Sequence, residues 1–188
     1  SESETIKIAG KFEEWISVKP EFRDHKDVIE PRNHRGYGST WYKNETGRND
    51  IVISKVARDS AYLYFYAETV DNISSPTEKW MMLLIDIDRN KKTGWEGYDY
   101  AINRRAPEKG KAILEKCAGR WKWNQAAKID FQVTGNKIEI KVPKDLIKCD
   151  GIIGSFEFKW SDNMQKEGDI MDFYINGDVA PSGRFNYL

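Results

Sequence analysis

Apolar and polar residues alternate along IVISKVA (51–57) and YLYFYAETV (62–70), with only the polar RDSA between them. Period-two alternation in β-branched and aromatic residues predicts two strands joined as a hairpin. In the second strand Leu63, Phe65 and Ala67 fall on one face and Tyr62, Tyr64 and Tyr66 on the other. The first set is expected in the core, and neighbouring elements are expected to cover the tyrosines. WMMLLIDI (80–87) reads as a buried strand with YDYAINR (98–104) as its partner. KAILEKC (111–117) and AAKIDFQV (126–133) add strands, and IDFQVTGNKIEIKV (129–142) is a hairpin about TGNK. Pro143 cannot donate a ladder hydrogen bond and should end it.

Elsewhere the pattern is weaker. PKDLIKCDG (143–151) predicts one helical turn, SFEFKW (155–160) and DIMDFYI (169–175) late strands, and NGDVAPSGRFNYL (176–188) a locally packed tail. TIKIAG (5–10) reads as an edge element, and Pro20 to Asn49 as a long irregular connection serving either as a binding loop or as a structural flap. Short strands and hairpins without βαβ alternation predict an all-β fold, an antiparallel β-sandwich of jelly-roll type, in a single domain over residues 1–188.

Composition narrows the partners. Thirty basic and thirty acidic residues give a formal net charge of zero, so no broad positive field is offered to nucleic acid or to an anionic membrane, and neither is expected as a partner. No apolar run approaches the length of a membrane span. Cys117 and Cys149 form no CxxC pair, and His25 and His34 supply no zinc pattern, so a disulfide and free thiols both stay open.

The stretch DIDRNKKTGWEGYDY (86–100) concentrates oxygen donors: Asp86, Asp88, Asn90, Glu96 and Asp99 suit calcium, which takes several oxygen ligands. An EF-hand is excluded, because Lys91 stands where that loop needs glycine and Gly97 where it needs a terminal glutamate. The alternative is a surface connection in which Asp and Asn cap turn amides while Gly94 and Gly97 permit tight geometry. A glycosidase needs two carboxyl groups flanking one bond, and the stretch identifies no such pair specifically. No nucleophile elbow, phosphate loop or dinucleotide fingerprint occurs.

WKW places Trp121 and Trp123 two residues apart, on the same side of an extended chain, where two indoles can stack on sugar rings or pack inward. Asn124 and Gln125 are the adjacent polar candidates, and Trp41, with Tyr37 and Tyr42, is a separate aromatic candidate in the long connection. Trp15, Trp160 and Cys117 are expected in packing.

In order along the chain, IAGKFEEW, YLYFYAETVDN, LLIDIDRNKKTGWEGYDY and FEFKWSDN resemble the carbohydrate-binding module family 9-like β-sandwiches. That resemblance implies noncatalytic recognition of a poly- or oligosaccharide, structural calcium, an attached catalytic domain in a glycan-processing protein, and an extracellular, periplasmic or cell-surface setting. Members that clamp sugar between tryptophans place one before the acidic strand and another after the late W-S-D. Here Trp80 begins the strand and NMQKEGD follows Asp162 without a tryptophan. Beside carbohydrate recognition stand a structural or protein-interaction module that has abandoned sugar, and a weak glycoside hydrolase.

Overall fold

The computed structural model describes residues 6–10, 12–23, 33–35, 41–43, 48–147, 155–164, 166–170 and 178–187, with backbone only for 33–35, 41–43 and 178–187. Its strands are β1 (Glu21–Arg23), β2 (Asn33–Arg35), β3 (Trp41–Lys43), β4 (Ile51–Arg58), β5 (Tyr62–Thr69), β6 (Met82–Asp86), β7 (Tyr100–Ile102), β8 (Lys111–Cys117), β9 (Trp123–Thr134), β10 (Lys137–Pro143), β11 (Phe156–Asp162) and β12 (Asp178–Tyr187). Two single-turn 3-10 helices, Phe12–Trp15 and Lys144–Ile147, are the named helical elements among the described residues. No helix among these residues is long and apolar enough to cross a membrane.

The all-β, antiparallel expectation holds. Among the described residues ten strands form one sheet in the order β1-β4-β5-β10-β9-β8-β7-β6-β11-β12, curled into a half-barrel, while β2 and β3 pair separately. The curl brings distant strands face to face across the core. Phe65 of β5 lies 5.5 Å from Phe158 of β11, ring centre to ring centre, and the Trp160 indole N–H donates to Ser54 Oγ of β4 at 3.0 Å.

Each predicted hairpin forms. β4 and β5 pair antiparallel, and the Asp59 carboxylate between them accepts the Ala61 and Tyr62 amides at 2.8 Å each. β9 and β10 pair around TGNK, with Pro143 the last residue of β10. Leu63, Phe65 and Ala67 enter the core as expected. Tyr64 and Tyr66 are covered from outside by the N-terminal segment: Trp15 stacks on Tyr66 at 5.1 Å, with Ile6 and Val18 in the same cluster.

Two expectations change. TIKIAG forms no strand over its described residues; Ile6 is pinned against the tyrosine face, and the edge strand is β1, inside the stretch that reads as irregular. The C-terminal tail is β12, paired with β11 from Phe156↔Tyr187 to Asp162↔Asp178 across a bulge. Its Pro181, Ser182 and Gly183 hide the strand pattern because that bulge absorbs them. Trp80 is buried as the WMMLLIDI reading expects, 0% exposed and packed edge-on against Phe131 while donating to the Ser74 carbonyl at 2.9 Å, though β6 itself begins at Met82. The DIMDFYI expectation falls largely on residues 171–175, outside the described ones.

Candidate functional site

β6 is buried on both faces. Leu83 and Ile85 join the main core, whereas Met82 and Leu84 join a second cluster with Trp95, Tyr98, Ala101 and Met164, flanked by Trp121, Trp123, Cys117 and Ile170. Opposite side chains across a ladder share a face. Ser161 therefore lies on the second face opposite Met82, Lys159 opposite Leu84, and Glu115 opposite Ala101.

At one end of β6 the acidic loop folds back. The Trp95–Tyr98 turn closes with Trp95 and Tyr98 each donating its amide to the other's carbonyl, at 2.9 and 2.8 Å. Gly94 holds φ +60, and a Cβ there would stand 2.0 Å from the Tyr98 carbonyl oxygen. Only glycine fits that approach. The turn seats Trp95 and Tyr98 on the second face and returns the chain to Asp99.

Asp86, Asp88 and Asp99 each bring a carboxylate oxygen within 4.8 Å of the others. Asp86 is buried, Asp99 half-buried and Asp88 exposed. Burial pushes the Asp99 carboxyl up, and the charge of Asp88 adds to the shift, against the lowering effect of the Ile87 amide that it accepts at 3.1 Å. Two expected donors lie outside this trio. Asn90 is turned to capping, its amide donating to Asp88 at 2.8 Å and its side-chain oxygen accepting the Lys92 amide at 3.1 Å. Glu96 sits exposed at φ 52 in the Trp95–Tyr98 turn. Capping and carboxylate clustering thus occupy the same loop. Three carboxylates of graded burial match the hard oxygen donors that calcium takes.

Trp121 and Trp123 come together, but through the turn that precedes β9 rather than through an extended WKW, and not as a flat platform. Their ring centres are 5.4 Å apart with planes at 85°, and Trp95 meets Trp121 at 4.5 Å and 75°. The two part-exposed indoles form a corner. Trp121 is carried by a tight turn in which the Ala118 amide donates to the Lys122 carbonyl at 2.7 Å. Gln125, opposite Glu115, shares their face, and its side-chain oxygen accepts from Arg105 at 3.1 Å. Asn124 pairs with Lys116 and projects to the opposite side of the ribbon. The Trp41 backbone lies in β3, while its side chain is outside the described residues, as is Cys149. Cys117 is a free thiol, pushed up by burial.

Sequence reasoning missed the polar atoms of this region. Among the described residues, the Ser161 hydroxyl, both Asn103 carboxamide atoms and the indole nitrogens of Trp121 and Trp123 are buried and have no hydrogen-bond partner. Asn103 follows β7 in the left-handed conformation, φ 61, and is 0% exposed. Beside it the Arg104 guanidinium clamps Glu115 through two 2.8 Å hydrogen bonds, which raise its pKa. Alternation along FEFKWSD, with Trp160 inward, was the signal that could have put Ser161 on the other face.

Searches of family models, curated proteins and solved structures return no match to this chain.

Proposed function

We propose that this chain is a noncatalytic carbohydrate-recognition module that binds sugar on the second face of its sheet and uses Asp86, Asp88 and Asp99 to hold a structural calcium ion. The observation that carries the reading is the set of buried polar atoms on Asn103, Ser161, Trp121 and Trp123 that have no partner among the described residues. Buried donors and acceptors are nearly always paired, and an unpaired one costs about 1–3 kcal/mol. A carboxamide supplies donors and an acceptor, and an indole N–H supplies a donor, which suits ligand hydroxyls. The Trp121–Trp123 corner adds apolar surface for the CH face of a ring. Calcium would tie the loop that seats Trp95 behind that corner; the three carboxylates gather around one point, an arrangement suited to a cation. In this reading the curl of the sheet is a β-sandwich whose two halves meet through Phe65, Phe158 and Trp160.

A glycan array with and without calcium, followed by titration of each hit, tests the proposal. Saturable binding that disappears in Trp121→Ala and Trp123→Ala, with the fold intact, supports it. A blank array in both conditions overturns the sugar assignment and favours a structural or protein-interaction module. One observation already favours that second reading: the indoles meet edge to face instead of displaying a common plane.

A further inference from the structure

β9 outruns its neighbour on one side. Its last residues pair with β10 from Asp130↔Lys141 to Thr134↔Lys137, whereas its register with β8 stops at Asp130↔Lys111. Successive residues of an antiparallel strand turn their main-chain groups to opposite neighbours. The Asn136 carbonyl accepts the Thr69 amide at 2.9 Å, so Ile138 and Ile140 direct their main-chain groups to β5, and Lys137, Glu139 and Lys141 direct theirs to β9. Gln132 and Thr134 are thereby committed to β10, and Val133 turns its N–H and C=O to the side that β8 has left. That amide has no partner among the described residues. Its carbonyl accepts the Gln132 side chain in a long 3.4 Å contact.

A cavity of about 370 Å³ lies along this edge, between Phe131 and Val133 on one side and the 73–76 loop on the other, with Gly110 beside it. The loop is fixed without any ligand. Ile73 donates its amide to the Gly135 carbonyl at 2.9 Å, and Ser74 exchanges two hydrogen bonds with the buried Asn49 side chain, at 2.9 and 3.0 Å. Ile73, Phe131 and Val133 pack against the main core yet stay half-buried, whereas the β10 partners Ile138 and Ile140 are fully buried. The core is therefore uncovered here, and a main-chain donor and acceptor stand beside apolar side chains. Ser75 and Pro76 are exposed at the rim.

Two features select the occupant. From Phe131 to Gly135 the edge measures about 13 Å at roughly 3.3 Å per residue, and it is closed by the Glu108–Lys111 turn at one end and by the Ile73–Gly135 bond at the other. A partner strand adding to a sheet edge needs a run of open positions that continues past such ends. The volume also stands at the lower end of small-ligand sites, which span about 300–1,000 Å³. A single ring with hydroxyls on its edge and CH groups on its face matches both the polar main chain and the apolar floor.

We propose that this cavity is a second ring-binding site, which takes one pyranose ring with its hydroxyls on the Val133 main chain and the Ser75 hydroxyl and its CH face against Ile73 and Pro76. It shares no residue with the Trp121–Trp123 corner, so the two sites stand or fall separately.

Amide NMR titration of the 15N-labelled full chain tests the site, with methyl β-glucopyranoside, methyl β-galactopyranoside and methyl β-xylopyranoside as probes. A ligand of about a dozen heavy atoms reaches millimolar affinity at ordinary ligand efficiency, so each probe is taken to about 0.1 M. Saturable shifts of the Val133, Ile73, Ser75 and Gly110 amides are expected with at least one glycoside. Ser75→Trp, which fills the cavity from its exposed rim, should remove them, and Trp121→Ala should leave them unchanged. No saturable shift at these amides with any of the three glycosides overturns the site, as does a response that survives Ser75→Trp. Shifts confined to Trp121 and Trp123 overturn the second site and leave the corner standing; shifts at Val133 with the corner silent do the reverse.

Discussion

Trp15 and Glu139 meet across 124 residues of sequence, the indole N–H donating to one carboxylate oxygen at 3.0 Å while the other oxygen accepts the Ala9 and Gly10 amides at 3.1 Å each. Both side chains are buried, at 2% and 1% exposure. One acid on β10 thereby ties the N-terminal segment onto the sheet. Glu139→Gln puts an NH2 group in place of one accepting oxygen and leaves a donor facing a donor. The variant should lose about 2–4 kcal/mol in urea denaturation, and Glu139→Ala at least as much. A loss below about 0.5 kcal/mol for either would show that the segment is held by packing alone.

Asp162 is buried and receives Arg48 at 2.7 and 3.2 Å as well as the Met81 amide at 2.8 Å. Arg48→Ala strands that carboxylate, whereas Asp162→Asn keeps a hydrogen-bond acceptor for Met81. Arg48→Ala should cost about 2–4 kcal/mol, a little below a fully buried pair because the arginine is part-exposed. Asp162→Asn should cost less, so the order of the two melting temperatures is the check.

Gly94→Ala forces a Cβ to 2.0 Å from the Tyr98 carbonyl oxygen at φ +60. Gly110, at φ +72, has no atom within 4 Å of an added Cβ and isolates the backbone cost. Gly110→Ala should lose about 1 kcal/mol, and Gly94→Ala clearly more, because its turn must move. Thermal melts of the pair give the difference directly.

Asp99 has a pKa above the ordinary 3.8, chiefly through burial. A carboxyl with a raised folded pKa binds its proton more tightly in the folded chain; its contribution is fully favourable below the unfolded value and is lost as pH rises through the folded one. Metal-free protein should accordingly lose this contribution as pH rises from about 4 toward neutrality, and Asp99→Asn should flatten that part of the profile. Calcium requires the carboxylate, so stabilisation by added calcium should run the opposite way, growing with pH across the same window. Melting temperatures measured with calcium and with chelator test both slopes; superimposable curves at neutral pH remove the ion from the proposal.

Strand positions were legible wherever one face is apolar and the other is not. KAILEKC matches β8 residue for residue, and the tyrosine and phenylalanine faces of β5 separate as alternation requires. The limits have particular causes. Trp80 is inward as the buried-strand reading of WMMLLIDI implies, but it stands just before β6, and its edge-on contact with Phe131 joins it to a strand far along the chain. Trp121 and Trp123 are correctly placed side by side, yet the 85° between their planes depends on the turn before β9 and on Trp95 from another loop. Asp86, Asp88 and Asp99 stand out by composition, but separating them from Asn90 and Glu96 needs the Trp95–Tyr98 turn, which carries Glu96 away from the trio. Asn103 and Ser161 have no compositional signature; only burial without partners distinguishes them.

The double burial of β6 has a consequence for how the chain finds its pairing. A slip of one residue would exchange Leu83 and Ile85 for Met82 and Leu84, apolar for apolar, so hydrophobicity within MLLID barely discriminates between the two threadings. Asp86 does, since the slip would bring its carboxylate toward the main core against Phe156 and Phe158. The acid that begins the candidate cation site is also the residue that tells its strand where to stop.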